Sequence, residues 1–491
     1  MGIVVKQGFF NSFWLAVGIV IGYVNTILLF PVFLTADQFG LTRVLWAAGS
    51  VFAQFALLGS PQILVKYFPN FGKELKNRGG FLSLMLVISL IGFIVFVGGA
   101  FLFRGKIIDS YANQSALFAD NFGFIFVITF FFMYFTVLEA YLRALFKTTV
   151  AGFLKNVLLR IFWLVLVLLY YKKFIDFETF IFWFVFAYGV ILFILLAYAA
   201  ILKELAFSFR IRFIGKENLK AMTQFGLFVI LGGSTAYLAS YIDILMVGGM
   251  INLENVAFYS VAFYLGTVIM LPYNGASNIL IPIISEGYAQ NNLKKIKEIY
   301  QQASVNLSLT GMLIFLGIWL NADNIFKLLP PEYAAGKYVL LFIALTKLFS
   351  SAIGINGFIL QFSPHYRILL WSNIAFLIFV VVSNYFLIPP LGITGAAVAT
   401  FLSQIFVNTI QMAFIYGKMK MLPFRLENLK IFVLGGLVYL AVVFIPEQKN
   451  LIVDIGLRSA IILLLYLPLA YFWKASSEYT GFINKWLRKI F

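Results

Sequence analysis

The residues of this sequence that could do chemistry are a handful of charges set inside long apolar runs. Arg43 stands in Leu-Thr-Arg-Val-Leu-Trp, Asp243 in Tyr-Ile-Asp-Ile-Leu-Met-Val-Gly, Lys347 in Leu-Thr-Lys-Leu-Phe and Arg160 in Leu-Leu-Arg-Ile-Phe. Glu139 is followed four residues on by Arg143, the spacing of a local ion pair on one helical face. Amides recur in the same kind of setting: Asn11, Asn25, Gln54, Asn274, Asn278 and Asn356. Charge in a hydrocarbon setting is costly and ordinarily faces a wet cavity or a partner. These side chains therefore suit recognition of a polar or anionic group more than bond cleavage. Reactive chemistry has little to work with. Cysteine is absent, histidine occurs once at His365, and there is no GxxxxGK[ST] loop. That combination argues against thiol catalysis, thiolate metal sites and nucleotide hydrolysis, and no cofactor or metal is expected.

The elements that must position these residues follow from composition. The chain has 491 residues, of which 62% are hydrophobic and 11% charged. Apolar runs of the length a helix needs to cross a bilayer, about 20 residues, recur throughout. They do not alternate, so helices are expected and a barrel is not. The pattern predicts an all-α polytopic membrane protein with fourteen spans. These lie at 8–34, 39–63, 81–103, 118–142, 149–171, 178–201, 222–249, 256–284, 301–320, 335–361, 367–388, 392–416, 429–446 and 452–473, with Pro31, Pro61, Pro272 and Pro282 as kink sites. The first run reads as a true span and not as a cleaved leader. The net charge of +17 invites a nucleic-acid reading, but its distribution does not support one. With the N-terminus inside, 25 of the 36 Lys and Arg fall in inner segments, seven in outer segments and four within spans. Both ends are thus expected on the cytoplasmic side, and no nucleic-acid partner is expected. Contact of the basic segments with anionic headgroups is a natural extra.

A repeat organises the chain. Short acidic turns at Asp37 and Glu254 lie 217 residues apart, each between two apolar runs with a basic exit beyond. The spacing predicts two similar lobes facing a central pathway. Residues 1–204 form the first six-span lobe, 205–221 a basic inner-face linker, 222–417 the second lobe, and 418–491 two further spans with a tail. In the tail, Phe482, Ile483, Trp486, Leu487 and Ile490 fall opposite Lys485, Arg488 and Lys489, the pattern of an interfacial helix. Arg43 and Asp243 come to similar depth in the two lobes and are expected to face the pathway as an outer-gate pair. A purely structural pair, or Arg43 reaching outward, is the alternative. Lys347, mid-span, is the candidate cavity cation. Arg160 is a second cation or a brace between helices. Each amide alone is interhelical glue; their gathering on equivalent spans favours a pathway.

At this point the chain is similar to a known family. The six-plus-six-plus-two span order, the turn Asp37-Gln-Phe-Gly-Leu, the seventh-span string from Tyr241 and the following Val256-Ala-Phe-Tyr-Ser-Val-Ala resemble bacterial polysaccharide flippases of the Wzx type. These belong to the multidrug/oligosaccharidyl-lipid/polysaccharide exporter superfamily. The resemblance covers nearly the whole chain through loose helix patterns. It implies two six-helix bundles in a V, plus two C-terminal helices, working by alternating access. It implies movement of an undecaprenyl-diphosphate-linked oligosaccharide from the inner to the outer leaflet of the cytoplasmic membrane. Membrane lipids, a proton or sodium gradient, and a polysaccharide polymerase with its chain-length machinery would be the partners. Arg43, Lys347 and Arg160 would supply positive charge to the diphosphate. Asn25, Gln54, Asn274 and Asn278 would suit sugar hydroxyls, and Asp243 or Glu139 would gate or carry the coupling ion.

Three rivals differ in what they require. A peptidoglycan-precursor flippase shares the fold but is expected to carry more arginine in the first two spans, where Arg43 stands alone. A multidrug antiporter usually stops at twelve spans, and this chain continues past Lys418. A membrane-embedded sugar polymerase or ligase would place paired acids on a sizeable outer loop, and the outer loops here are short.

Overall fold

The computed structural model describes residues 3–71, 75–112, 116–205, 207–208 and 215–490. Among these, every regular element is a helix. That is the expected answer of a chain this apolar, since a helix satisfies its own backbone where water is absent. The first six spans are Phe10–Phe33, Ala36–Phe71, Arg78–Leu102, Phe124–Ala144, Thr149–Tyr171 and Phe177–Ile201. The seventh is a bent pair, Lys216–Ser234 and Tyr237–Met250, meeting at 45°. Then come Leu253–Ala289, Leu293–Trp319 and Pro331–Ile353, followed by one helical stretch of 53 residues, Arg367–Met419. At about 1.5 Å per residue that stretch would be ~80 Å long, more than twice a hydrocarbon core of about 30 Å. It is in fact interrupted: Gly392 takes φ 59° and ψ −142°, a conformation open to glycine alone, just after Pro389 and Pro390. It therefore supplies the eleventh and twelfth spans. Leu426–Val443 and Leu451–Phe472 complete the fourteen.

Three local expectations are corrected. The tenth run, expected as 335–361, ends at Ile353; a break at Gly354 separates it from a short helix, Asn356–Phe362. The stretch after the third span, expected as a short loop, contains two short helices, Arg104–Ala112 and Ala116–Asn121. Of the four prolines expected to kink, Pro282 sits inside a helix that continues through it. The others adjoin real breaks: a π-helical turn Val24–Leu29 before Pro31, the left-handed Leu58–Gly59 pair before Pro61, and a 3₁₀ turn Val268–Met270 before Pro272. The basic linker falls largely outside the described residues.

The helices form two compact units, Met1–Ser260 and Val261–Phe491. In the first, Phe81, Met85, Phe135, Tyr141 and Leu195 are fully buried in a common core. The first and fifth spans meet along a seam of small residues. A Cβ at Gly18 would lie 2.3 Å from the Asn156 carbonyl oxygen, and one at Gly152 would lie 2.7 Å from Asn11 Oδ1. At one end of these spans Glu204 accepts from Arg78 Nη1 at 2.9 Å and Lys147 Nζ at 3.0 Å, while its carbonyl takes the Tyr141 hydroxyl at 2.7 Å. In the second unit, Ile269, Leu316, Ala344, Leu434 and Tyr466 pack the thirteenth and fourteenth spans onto the ninth and tenth. The tail is a helix, Ser477–Ile490, with Ser476 Oγ accepting from the Tyr479 amide and with Phe482 and Trp486 exposed one turn apart.

The second and eighth spans touch backbone to backbone at Gly40. A Cβ there would lie 1.9 Å from the Leu253 carbonyl oxygen, an atom that cannot rotate away. Gly40→Val is expected to destabilise the protein by at least about 1–3 kcal/mol, the usual range for overpacking, and to lower the detergent-solubilised melting temperature. A Gly40→Val protein melting with the parent would show that the contact gives way freely.

Candidate translocation site

In the first unit, polar groups collect where the helices depart from regular α geometry. Val24–Leu29 is π-helical and carries Asn25 and Thr26, both buried. Such one-turn bulges recur at functional sites because they leave backbone and side chains free to face a ligand or a neighbouring helix. Arg43, 7% exposed, reaches this turn. Its Nη2 donates to Thr26 Oγ1 at 3.3 Å, and its guanidinium lies over the rings of Phe39 and Phe30, 4.9 and 5.5 Å from their centroids. The guanidinium is thus enclosed between the first and second spans. Cation–π contacts of this kind are stronger when desolvated.

Asp243, 6% exposed on the seventh span, accepts a 2.6 Å hydrogen bond from the Tyr259 hydroxyl of the eighth. Asn25 Nδ2 donates to the Arg160 carbonyl at 2.8 Å. The Arg160 guanidinium lies flat against the first span; a Cβ at Gly22 would be 2.9 Å from its Nη1. Arg160 and Asn25 are thus brought together as a brace between the first and fifth spans. The second and seventh spans are joined near Gln54, whose carbonyl accepts from Ser234 Oγ at 3.4 Å and whose amide lies beside Gly233. Ile230–Ser234, at that junction, is the π-helical part of the seventh span. Glu139 has the expected partner, Arg143 at 3.4 Å, and a second, Lys155 at 3.3 Å from the fifth span.

In the second unit, Lys347 is half-buried with Nζ 5.4 Å from the Phe263 ring centroid. Asn274 and Asn278 stand one turn apart on an exposed strip of the eighth span. Asn356 is interhelical glue, with Nδ2 donating to Gln411 Oε1 at 2.9 Å and Asn408 Oδ1 at 3.2 Å; Asn11 plays a like part in the first unit through Thr148 Oγ1 at 2.7 Å. Beside Asn274 and Asn278 runs an apolar groove of about 450 Å³ between the eighth and ninth spans. Ala276, Ile279, Leu280 and Ile283 line one wall, and Gln302 and Asn306 give the other a polar strip.

Sequence reasoning counted Arg458 among the four basic residues within spans and missed the cluster around it. At the start of the fourteenth span Asp454, 1% exposed, accepts from Arg458 Nε at 2.8 Å, from the Asn324 amide and from the Gln448 backbone at 3.0 Å. Arg458 Nη2 also donates to the Ile445 carbonyl at 2.8 Å. The pair borders a cavity of about 270 Å³ together with Trp319, Asp323, Lys337 and Glu447. Nearby, the hydrogen bond to Glu447, 2.6 Å long, holds the Lys327 ammonium above its ordinary pKa. The signal available was Asp454 four residues before Arg458 in an apolar run.

These helices define a class. Over 94% of this chain and 98% of the other, the structure superposes on the lipid II flippase MurJ in an inward closed conformation, with TM-score 0.74 and 13% identity. It superposes on an inward-facing multidrug resistance MATE family transporter of the MOP superfamily with TM-score 0.60 and 14% identity, over 84% and 94% of the two chains. The fold is therefore that of the multidrug/oligosaccharidyl-lipid/polysaccharide exporter transporters, in a multi-pass membrane protein. Sequence similarity narrows the likeness. Residues 194–330 match a family described as polysaccharide biosynthesis protein. The probable low-salt glycan biosynthesis flippase Agl15 of Haloferax volcanii is 23% identical over 229 residues, 46% of this chain. The match spans about half the length of that relative, 48%. Both agree with the resemblance to polysaccharide flippases read from the motifs.

Proposed function

We propose that this protein is a flippase for a lipid-linked oligosaccharide, carrying a glycan on undecaprenyl diphosphate from the inner to the outer leaflet of a cytoplasmic membrane by alternating access. The observation that carries the reading is the sequence similarity over residues 194–330 to a polysaccharide-biosynthesis family, together with the glycan flippase relative. The chemistry of the site supports it. A diphosphate with sugars attached cannot cross bare hydrocarbon without a polar, partly cationic path. Lys347 and Arg43 are the cations assigned to the diphosphate, and Arg160 braces the first span against the fifth. Asn25, Gln54, Asn274 and Asn278 are assigned to sugar hydroxyls. The groove beside Asn274 and Asn278 suits the prenyl tail, which has no reason to leave an apolar surrounding.

Two six-span lobes, residues 1–204 and 222–417, are proposed to alternate access to the substrate, with both termini cytoplasmic. Arg43 and Asp243 are proposed to close the outer side as a pair. A proton or sodium gradient is the proposed drive, with Asp243 its carrier through the Tyr259 hydrogen bond, and Glu139 a second candidate. A polymerase and its chain-length partners would consume the flipped glycan. The test is reconstitution in liposomes with a fluorescent undecaprenyl-diphosphate oligosaccharide, with and without an imposed ion gradient. Protein-dependent movement of the glycan lipid supports the reading. Movement of lipid II alone, or exchange of small cationic drugs alone, would replace it with the corresponding rival.

A further inference from the structure

The short helix Arg104–Ala112, in the stretch between the third and fourth spans, delivers one side chain into the first unit. Tyr111 is 8% exposed. Its ring stacks on Phe118 with centroids 4.1 Å apart, and Phe118 in turn meets Phe122 edge-on at 5.9 Å. Its hydroxyl donates to the Leu245 carbonyl of the seventh span at 2.6 Å. The ring can come this close because the seventh span is bare there: a Cβ at Gly248 would lie 2.8 Å from Tyr111 Cε1 and 3.1 Å from Val44 Cγ2 of the second span. Burial pushes the phenol above its usual pKa, so it remains a donor across the physiological range. Around the contact lies an apolar cavity of about 340 Å³ walled by Val44, Ala48 and Phe52 of the second span and Leu245, Met246 and Gly249 of the seventh.

We infer that Tyr111 is a positioning residue, a latch that holds the outer half of the seventh span against the second span. The seventh span bends at Ile230–Ser234, and the segment beyond that bend, Thr235–Met250, is the one the latch holds. Apolar packing alone is a weak tie between helices in a bilayer, because lipid tails are as apolar as the side chains they replace. One directed hydrogen bond to a main-chain carbonyl, in a dry setting, adds to that packing a tie that must break before this part of the seam opens. Opening of the seam requires the Tyr111 hydroxyl to leave Leu245, and the apolar cavity behind it leaves room for the helix to move.

The chain has no cysteine, so single cysteines report opening without a further background change. Val44→Cys probes the outer seam, and Ile63→Cys, beside Gly226 in the inner half of the same two spans, is the control. The full chain in liposomes is treated with a charged, membrane-impermeant thiol reagent, applied outside or trapped within. Tyr111→Phe keeps the ring and loses only the donor. It is expected to raise the outer-side labelling rate at position 44 by about three- to tenfold, the factor one lost hydrogen bond gives, and to leave position 63 no more reactive. Gly248→Ala, which crowds the ring off the helix, is expected to act in the same direction. Unchanged labelling at 44 in both variants overturns the latch. So does a rise at both 44 and 63, which means general loosening, or labelling of 44 only from the inner side, which puts the contact at the wrong face. The measurement needs no substrate, so its outcome is independent of what the protein carries.

Discussion

A Lys347→Glu protein is expected to be made, inserted and inert in transport. Lys347 lies in the tenth span, half-buried, with its ammonium near the face of Phe263. If it meets a diphosphate at about 5 Å, an effective dielectric constant near 20 makes that attraction about 3 kcal/mol, and reversing the charge turns it into repulsion of the same size. A loss of two orders of magnitude or more in flipping rate follows. Lys347→Met keeps the stem and removes only the charge, so it should fall between the two. The measurement is the initial rate of glycan-lipid movement in liposomes, normalised to reconstituted protein. Full activity in the Glu variant would remove Lys347 from the site.

The second large effect is expected at positions 43 and 243. Taking away one partner of a buried charge pair typically costs 3–5 kcal/mol, because the other charge is left stranded. Arg43→Asp and Asp243→Arg should each reduce transport by 10²-fold or more, and the double variant should recover a large part of it. Recovery is not expected to be complete, since an arginine at 243 lacks the Phe30 and Phe39 rings that enclose Arg43, and Tyr259 loses its acceptor. Double-mutant arithmetic on the transport rates gives the coupling. Additive losses would show that the two charges act separately. In that event Tyr259→Phe becomes informative: a tenfold loss confined to gradient-driven transport would keep Asp243 as an ion carrier without the gate.

Why some of this was legible in sequence and some was not has a physical cause. Membrane spans are read from the mean polarity of some 20 residues, which no tertiary contact reverses, so their number and order could be read directly. The Glu139–Arg143 pair was legible because its partners lie on one helix; Lys155, from another span, was not. The same divide separates Arg43 from its surroundings. A lone arginine in an apolar run is conspicuous, whereas Thr26 and Phe30 lie well away in sequence, Thr26 within a π-helical turn that depends on one extra residue per turn and Phe30 just after it. Tyr259 beside Asp243 is sixteen residues away and looks like any interfacial tyrosine until the fold sets it 2.6 Å from the carboxylate. Gly392 needed the opposite argument. Two spans, 367–388 and 392–416, were expected there from length alone, and the backbone shows how the chain parts them.

The seam between the first and fifth spans, where Gly18 meets the Asn156 carbonyl and Gly22 lies under Arg160, has a thermal consequence. When two such helices part within a bilayer they expose surface to lipid and not to water. The large heat-capacity change that bends the stability curve of soluble proteins comes from hydrating apolar groups, so it is nearly missing from this step. Close contact and dispersion hold the seam, and neither fades on cooling as hydrophobic burial does. The two helices should therefore stay together as firmly near freezing as at growth temperature, and a membrane protein built on such seams would lose speed in the cold through its lipids before it lost its shape.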